Sequence, residues 1–323
     1  MKKIVTNSES GFYQNFNIKF YAKILIAVAL LYFLITYIHF DEIIAAFQHS
    51  DKELILFVFF LSFLNIYLQF VKWKVVCNSL LNINDDKKIW LSLFYGFSGG
   101  IATPVRVGEY VGRTLPFENV NIVKITIATF LEKFASLFLV LIFGGFASIL
   151  FIDKYFEIVY SIPFIILVVG LILIIIALVQ GYNLVGNTIA YLSQRFLFFK
   201  KLVEELSYVK ELGSVALRKL LLYSFLFYSV YILQYALLVK AFNQGGDLLY
   251  FIWAGTIVMF AKSFLSFISF ADLGIRESAS VFILSKMGFD KAIGFNAAIF
   301  LFLFNLLIPA ILGLFLLFQK DKT

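Results

Sequence analysis

Charge, cysteine, histidine and proline are all scarce in this chain. Charged residues make up 15% of its 323 positions, the single cysteine is Cys77, and there are two histidines and four prolines. One cysteine excludes an internal disulfide, and with so few histidines beside it a dedicated metal site is not expected. The low charge content stands against 62% hydrophobic residues and a mean hydropathy of +0.93. That balance is far outside the soluble globular range. Apolar runs take up nearly the whole length and leave no room for an independent soluble catalytic domain, so a single transmembrane domain over 1–323 is expected. The net charge of +7 is to be read by position, because basic residues beside membrane spans mark the cytoplasmic side and attract anionic lipid. Nucleic acid is not an expected partner.

What the chain has in plenty is long apolar runs. They fall at about 20–40, 53–71, 121–152, 161–180, 215–242, 248–270 and 293–318. The first is too long for a signal-peptide core and is read as a retained span. His39, Asp41, Glu42, His49 and Asp51 cluster in the turn after it, as an outer loop would. The second carries Asn65 and Gln69 and ends in Lys72-Trp73-Lys74, which reads as an interfacial anchor returning the chain to the cytoplasm. The apolar piece 89–97 is about half of the ~20 residues needed to cross, so it is expected to enter and stop. Residues 182–212 are hydrophilic and basic and are read as a cytoplasmic linker between a first half, 20–180, and a second half, 213–318. The expected fold is an all-α polytopic membrane protein of about six full spans plus two broken or re-entrant helical elements, with both termini cytoplasmic.

The two breaks carry the chemistry. In YGFSGGIATPVRVGEYVGRTL, Gly96, Gly99, Gly100 and Pro104 precede Arg106, Glu109 and Arg113, and Gly108 sits among them. Glycine and proline interrupt a helix, and broken backbone within a membrane is tolerated only where protein or a wet cavity satisfies its polar groups. If the helix resumes after Pro104, Arg106, Glu109 and Arg113 share one face at i, i+3 and i+7. The second break, SFISFADLGIRESASVFIL, holds Asp272, Gly274, Arg276 and Glu277. Glu132 and Lys133 lie deep in the span between, and Lys262 lies deep in the span before the second break. Intramembrane charges pair or line a wet path. Counting spans, the first break follows an outward-to-inward crossing and the second the reverse. An inverted repeat is therefore expected, an arrangement in which paired broken segments bind substrate near the midplane, although the run at 248–270 is long enough to cross completely, which would make the second element a true span plus a short return.

At these two breaks the sequence resembles the family named after the transmembrane region of lysylphosphatidylglycerol synthase, also described as flippase-like membrane proteins. The family's Pro-x-Arg-x-Gly-Glu element reads here Pro104-Val105-Arg106-Val107-Gly108-Glu109, followed by the basic Arg113. Its later Gly-hydrophobic-Arg-Glu element reads Gly274-Ile275-Arg276-Glu277, and its mid-chain acidic-basic pair is Glu132-Lys133. The resemblance runs over roughly 20–318. Two departures are visible: Ser269 to Asp272 stand where the family commonly has proline upstream of the second element, and Lys133 stands in place of an arginine. The resemblance implies handling of amphipathic lipids such as aminoacylated phospholipids or polyprenyl-linked sugars. It does not imply lipid synthesis, since no synthase domain fits within these residues.

The function expected is therefore a flippase that moves an anionic amphipathic lipid, a phospholipid or a polyprenyl-phosphate conjugate, between the leaflets of the plasma (inner) membrane of a bacterial-type cell envelope. Arg106, Arg113 and Arg276 would bind phosphate, for which the guanidinium fork is suited. Glu109 and Glu277 would hold those arginines when the site is empty, with Glu132, Lys133, Lys262 and Asp272 completing the polar path. No cofactor or metal is expected, and a partner would be a further copy of the chain or a lipid-modifying enzyme. Three other readings stand beside this one. They are a small-solute or ion transporter on the same broken-helix plan, a protein whose charges only pair to fix helix packing, and an enzyme acting on lipid-linked sugar. The last would want an acidic metal cluster or a nucleophile with its base, and the sequence offers neither.

Overall fold

A computed structural model of the chain describes residues 40–101, 103, 106–117, 120–156, 212–265 and 274–320. The expected spans at 20–40 and 161–180, most of the linker at 182–212, Pro104 and Asp272 lie outside the described residues. Within them the protein is all-helical. Helix α1 (Phe40–Gln48) is short, and α2 (Lys52–Val76) follows it directly. A helical hairpin, α3 (Asp86–Ile101) and α4 (Val107–Gly112), leads to α5 (Ile122–Leu139) and α6 (Gly145–Phe156). The second half contains α7 (Ser214–Asn243), α8 (Leu248–Leu265), α9 (Ile275–Lys286), α10 (Lys291–Phe302) and α11 (Ile308–Lys320).

Short π turns at Cys77–Leu81, Val140–Gly144 and Leu303–Leu307 extend or join these helices into longer rods. The last has a local cause. Pro309 donates no backbone hydrogen bond and its ring crowds the preceding turn, so the helix widens there rather than ending. Among the described residues five rods are long and apolar enough to cross a bilayer: Lys52–Leu81, Ile122–Phe156, Ser214–Asn243, Leu248–Leu265 and Lys291–Gln319. They make this an integral membrane protein. The faces they turn outward suit lipid, as α2 exposes Phe57, Phe60, Phe63, Leu64 and Tyr67, a stripe that water would penalise and hydrocarbon does not.

Helix starts follow from their caps. Asp51 accepts the Leu54 N–H at 3.0 Å, Asn121 accepts that of Val123 at 2.8 Å and Asp290 that of Ala292 at 2.9 Å, each satisfying a donor that the first turn leaves free. Helix α2 packs along α7, where Gln234 donates to the Val58 carbonyl at 3.3 Å and Asn65 to that of Phe227 at 3.5 Å. One apolar core gathers around α7, α8, α9 and α10. A second gathers where the end of α2 meets α3, α5 and the π turn before α11. The charged site is built against the second core.

Lys72-Trp73-Lys74 does not end its helix as an interfacial anchor would. The rod continues to Leu81, Lys72 and Trp73 are buried, and Asn82 closes it in the left-handed conformation at φ +55°. Burial wins because both side chains find polar partners inside the fold. The apolar piece expected at 89–97 is the middle of the 16-residue α3, still short of the ~20 residues a crossing requires.

Candidate functional site

Helices α3 and α4 lie against each other at backbone distance, and glycine permits it. A Cβ at Gly99 would overlap the carbonyl of Gly108, one at Gly108 would overlap that of Gly99, and one at Gly112 would overlap that of Tyr95. Thr103 pins the tip, its hydroxyl donating to the Gly99 carbonyl at 2.9 Å and accepting the Gly108 N–H at 2.6 Å. Gly99 and Gly100, expected to break the helix, are part of α3, and Gly108 is part of α4. The turn falls between them and closes at Arg106, a non-glycine residue at φ +57°. A left-handed arginine is a strained arrangement that persists only where its surroundings fix it. Gly100 leaves room for its side chain, since a Cβ there would come within 3.3 Å of Arg106 Nε, and Gly96 does the same for Arg113, whose Cγ a Cβ would meet at 2.8 Å.

The hairpin delivers its charges to α5 and α2 as one network. Glu109 Oε1 pairs with Arg113 at 2.9 Å, while its Oε2 is shared by Arg106 at 2.9 Å and Lys133 at 2.7 Å. Glu132 pairs with Arg113 at 3.2 Å and with Lys72 at 2.6 Å. Lys72 also donates to the Ser136 hydroxyl at 2.6 Å and lies 4.5 Å over the Phe227 ring. The Arg113 guanidinium covers Trp73 at 4.5 Å, and Ser92 ties the two by accepting from Trp73 Nε1 at 3.1 Å and donating to the Arg113 carbonyl at 2.8 Å.

Among the described residues this network has four cations, Lys72, Arg106, Arg113 and Lys133, against two carboxylates, Glu109 and Glu132. Access divides them. The side chains of Lys72 and Arg113 are 3% and 2% exposed, whereas those of Arg106 and Lys133 are 20% and 32% exposed. Arg106 and Arg113 each hold a buried Nε without a hydrogen-bond partner.

The second break makes a smaller cluster. Gly274, at φ +83°, starts α9, and Glu277 reaches back so that its Oε2 accepts the Gly274 N–H at 2.7 Å. Its Oε1 holds Arg276 at 2.9 Å. Arg276 further donates to the Tyr231 hydroxyl at 3.4 Å and covers the Phe302 ring at 5.2 Å, leaving its Nε unpaired. Both residues are buried. No direct ion pair joins the two clusters among the described residues. They are connected along α7, where Phe227, under Lys72, and Tyr231, on Arg276, sit one turn apart with ring centroids at 6.1 Å.

Of the residues singled out from sequence, Arg106, Glu109, Arg113, Glu132 and Lys133 come together, Arg276 and Glu277 form their own pair, and Lys262 is half-buried on α8. Lys72, Trp73, Ser92, Ser136 and Tyr231 belong to these clusters and were not anticipated. A signal existed for Lys72: Asn65, Gln69 and Lys72 recur at i, i+4 and i+7, a polar stripe on one helix face. Gln69 indeed donates to Asn65 at 3.3 Å.

No curated protein and no solved structure matches the chain. The all-helical membrane fold and the two glycine-bearing arginine–glutamate elements instead agree with a match to the family model described as the lysylphosphatidylglycerol synthase TM region, which spans residues 20–313, and the chain belongs to that family.

Proposed function

We propose that this protein moves an anionic amphipathic lipid between leaflets and that Arg106 and Lys133 carry its phosphate. One observation supports this above the others: the two accessible cations of a cation-rich buried network share a single carboxylate oxygen, Glu109 Oε2. A phosphate oxygen can take the place of that atom. Glu109 then keeps Arg113 through Oε1, and Glu132 keeps Arg113 and Lys72, so no fully buried charge loses its partner during the exchange. Such a loss is what makes breaking a buried pair costly. The acyl or prenyl tails stay in hydrocarbon while the headgroup alone crosses the polar region, which avoids exposing an unpaired charge to lipid.

In this reading both termini are cytoplasmic, the membrane is the plasma membrane, and the protein performs no covalent chemistry on the lipid. The pairing of every cation in the network also suits a protein in which these charges only fix packing. Reconstitution in vesicles with a fluorescent anionic lipid decides between them. Lipid should change leaflets with the native chain and not with Arg106→Gln or Lys133→Gln, both variants remaining folded. Solute flux without any change in lipid sidedness, or full lipid movement in both variants, defeats the proposal.

A further inference from the structure

We infer that a groove between the end of α2 and the start of α7 is a separate docking site for an anionic phospholipid, where the headgroup rests before it reaches the Arg106–Lys133 pair. This rests on the lipid-moving reading above. A cavity of about 510 Å³ has Tyr67, Lys74, Asp86, Trp90, Lys219 and Tyr223 on its walls. A neighbouring one of about 440 Å³ shares Val75, Asn78 and Lys219 with it, so the two form one trough. Each is within the size range of small-ligand sites.

The charge in the trough is cationic. Lys219 is exposed and makes no hydrogen bond or ion pair among the described residues. Lys74 pairs with Asp86 at 2.6 Å, with the two side chains 36% and 52% exposed, and lies 5.9 Å over the Phe70 ring. An exposed pair of this kind contributes little and separates readily. The floor is aromatic: Trp90 stacks on Phe70 at 4.0 Å, nearly parallel, as suits the boundary between headgroups and tails.

Two further features commit the trough to a lipid rather than a soluble anion. Tyr67 lines it and also ends the exposed stripe of Phe60, Phe63 and Leu64, so a headgroup between Lys74 and Lys219 has an apolar track for its tails along α2. Lys72, two residues from Lys74 on the other side of Trp73, belongs to the buried network. The same helical turn thus borders both sites.

Tryptophan quenching by brominated lipids reads this directly. The native chain and Trp90→Phe are placed in phosphatidylcholine vesicles containing a small fraction of brominated phosphatidylglycerol or brominated phosphatidylcholine, and the difference between the two proteins isolates the Trp90 signal. Brominated phosphatidylglycerol should quench that signal at a concentration about fivefold lower than brominated phosphatidylcholine, the share of one lysine near an anionic headgroup. Lys219→Glu should abolish the preference and Lys219→Arg should keep it, with equal thermal stability. Equal quenching by both lipids, or a preference indifferent to Lys219→Glu, overturns the site. An equal response of Trp90 to inorganic phosphate in detergent also overturns it, in favour of a soluble anion. Arg106→Gln separates the two proposals: anionic preference at Trp90 should survive in that variant while lipid movement stops. Lost preference with intact lipid movement in Lys219→Glu would remove the docking role alone.

Discussion

Glu109 and Glu277 each occupy the first turn of a short helix that follows a break, and each faces an arginine from its own motif. A carboxylate is favourable at that end of a helix in either place. The difference lies in what the neighbouring long helix supplies. Helix α5 presents Glu132 and Lys133 to the first break and α2 adds Lys72, so Glu109 becomes one member of a cation-rich network with a partly open side. At the second break Glu277 spends one oxygen on its own helix cap and the other on Arg276, giving a closed and balanced pair. The two motifs, near-synonyms in sequence, are a candidate binding element and a candidate fixed joint.

The sharpest way to break this comparison is at Glu277. Glu277→Ala removes the cap and strands a buried guanidinium, and should cost about 3–5 kcal/mol, seen as lost folded protein or a large fall in the unfolding temperature in detergent. Arg276→Leu combined with Glu277→Gln removes the charge from both and keeps a capping side chain. It should fold close to the native chain and still move lipid, and failure to move lipid would give the second break a binding role equal to the first.

Arg106→Gln should reverse that pattern. Lipid movement should be lost, a fall of at least about tenfold for one charge-assisted hydrogen bond, with little change in unfolding temperature because Glu109 retains Arg113 and Lys133. Gly99→Ala should cost about 1–3 kcal/mol by forcing the hairpin apart, and it sharpens the comparison by asking whether rigid backbone contact at the first break is needed for transport. Thr103→Val leaves the Gly108 N–H without its partner and should cost about 1–2 kcal/mol. Lys74→Ala should change stability least, by about 1 kcal/mol or less, because its pair with Asp86 is exposed.

Much of this was legible without coordinates. Apolar run length alone identifies spans, because every backbone polar group in hydrocarbon must be paired within a helix. The spacing of Arg106, Glu109 and Arg113 placed them on one face, and the depth of Glu132 and Lys133 marked them as paired charges. The buried role of Lys72 was hidden by its neighbours. A Lys-Trp-Lys triplet at the end of an apolar run has the composition of an interfacial anchor, and only the packing of α2 against α5 shows one lysine turned inward and the other outward. The glycines misled in a similar way. Gly99 and Gly108 read as helix breakers, yet both are helical, and their lack of a side chain serves contact between two backbones.

By itself, the sequence determined that this chain lives in a membrane and which charges must find partners there, since hydrocarbon penalises every unpaired polar group wherever it falls. Tertiary structure alone decided who those partners are. Residues distant in the chain, Lys72, Glu109, Arg113 and Glu132, meet because a glycine-lined hairpin folds back within backbone contact, and the same packing seals two cations in while leaving Arg106 and Lys133 partly exposed. Pattern and composition act along the chain, whereas the surplus of positive charge arises only from what the fold brings side by side.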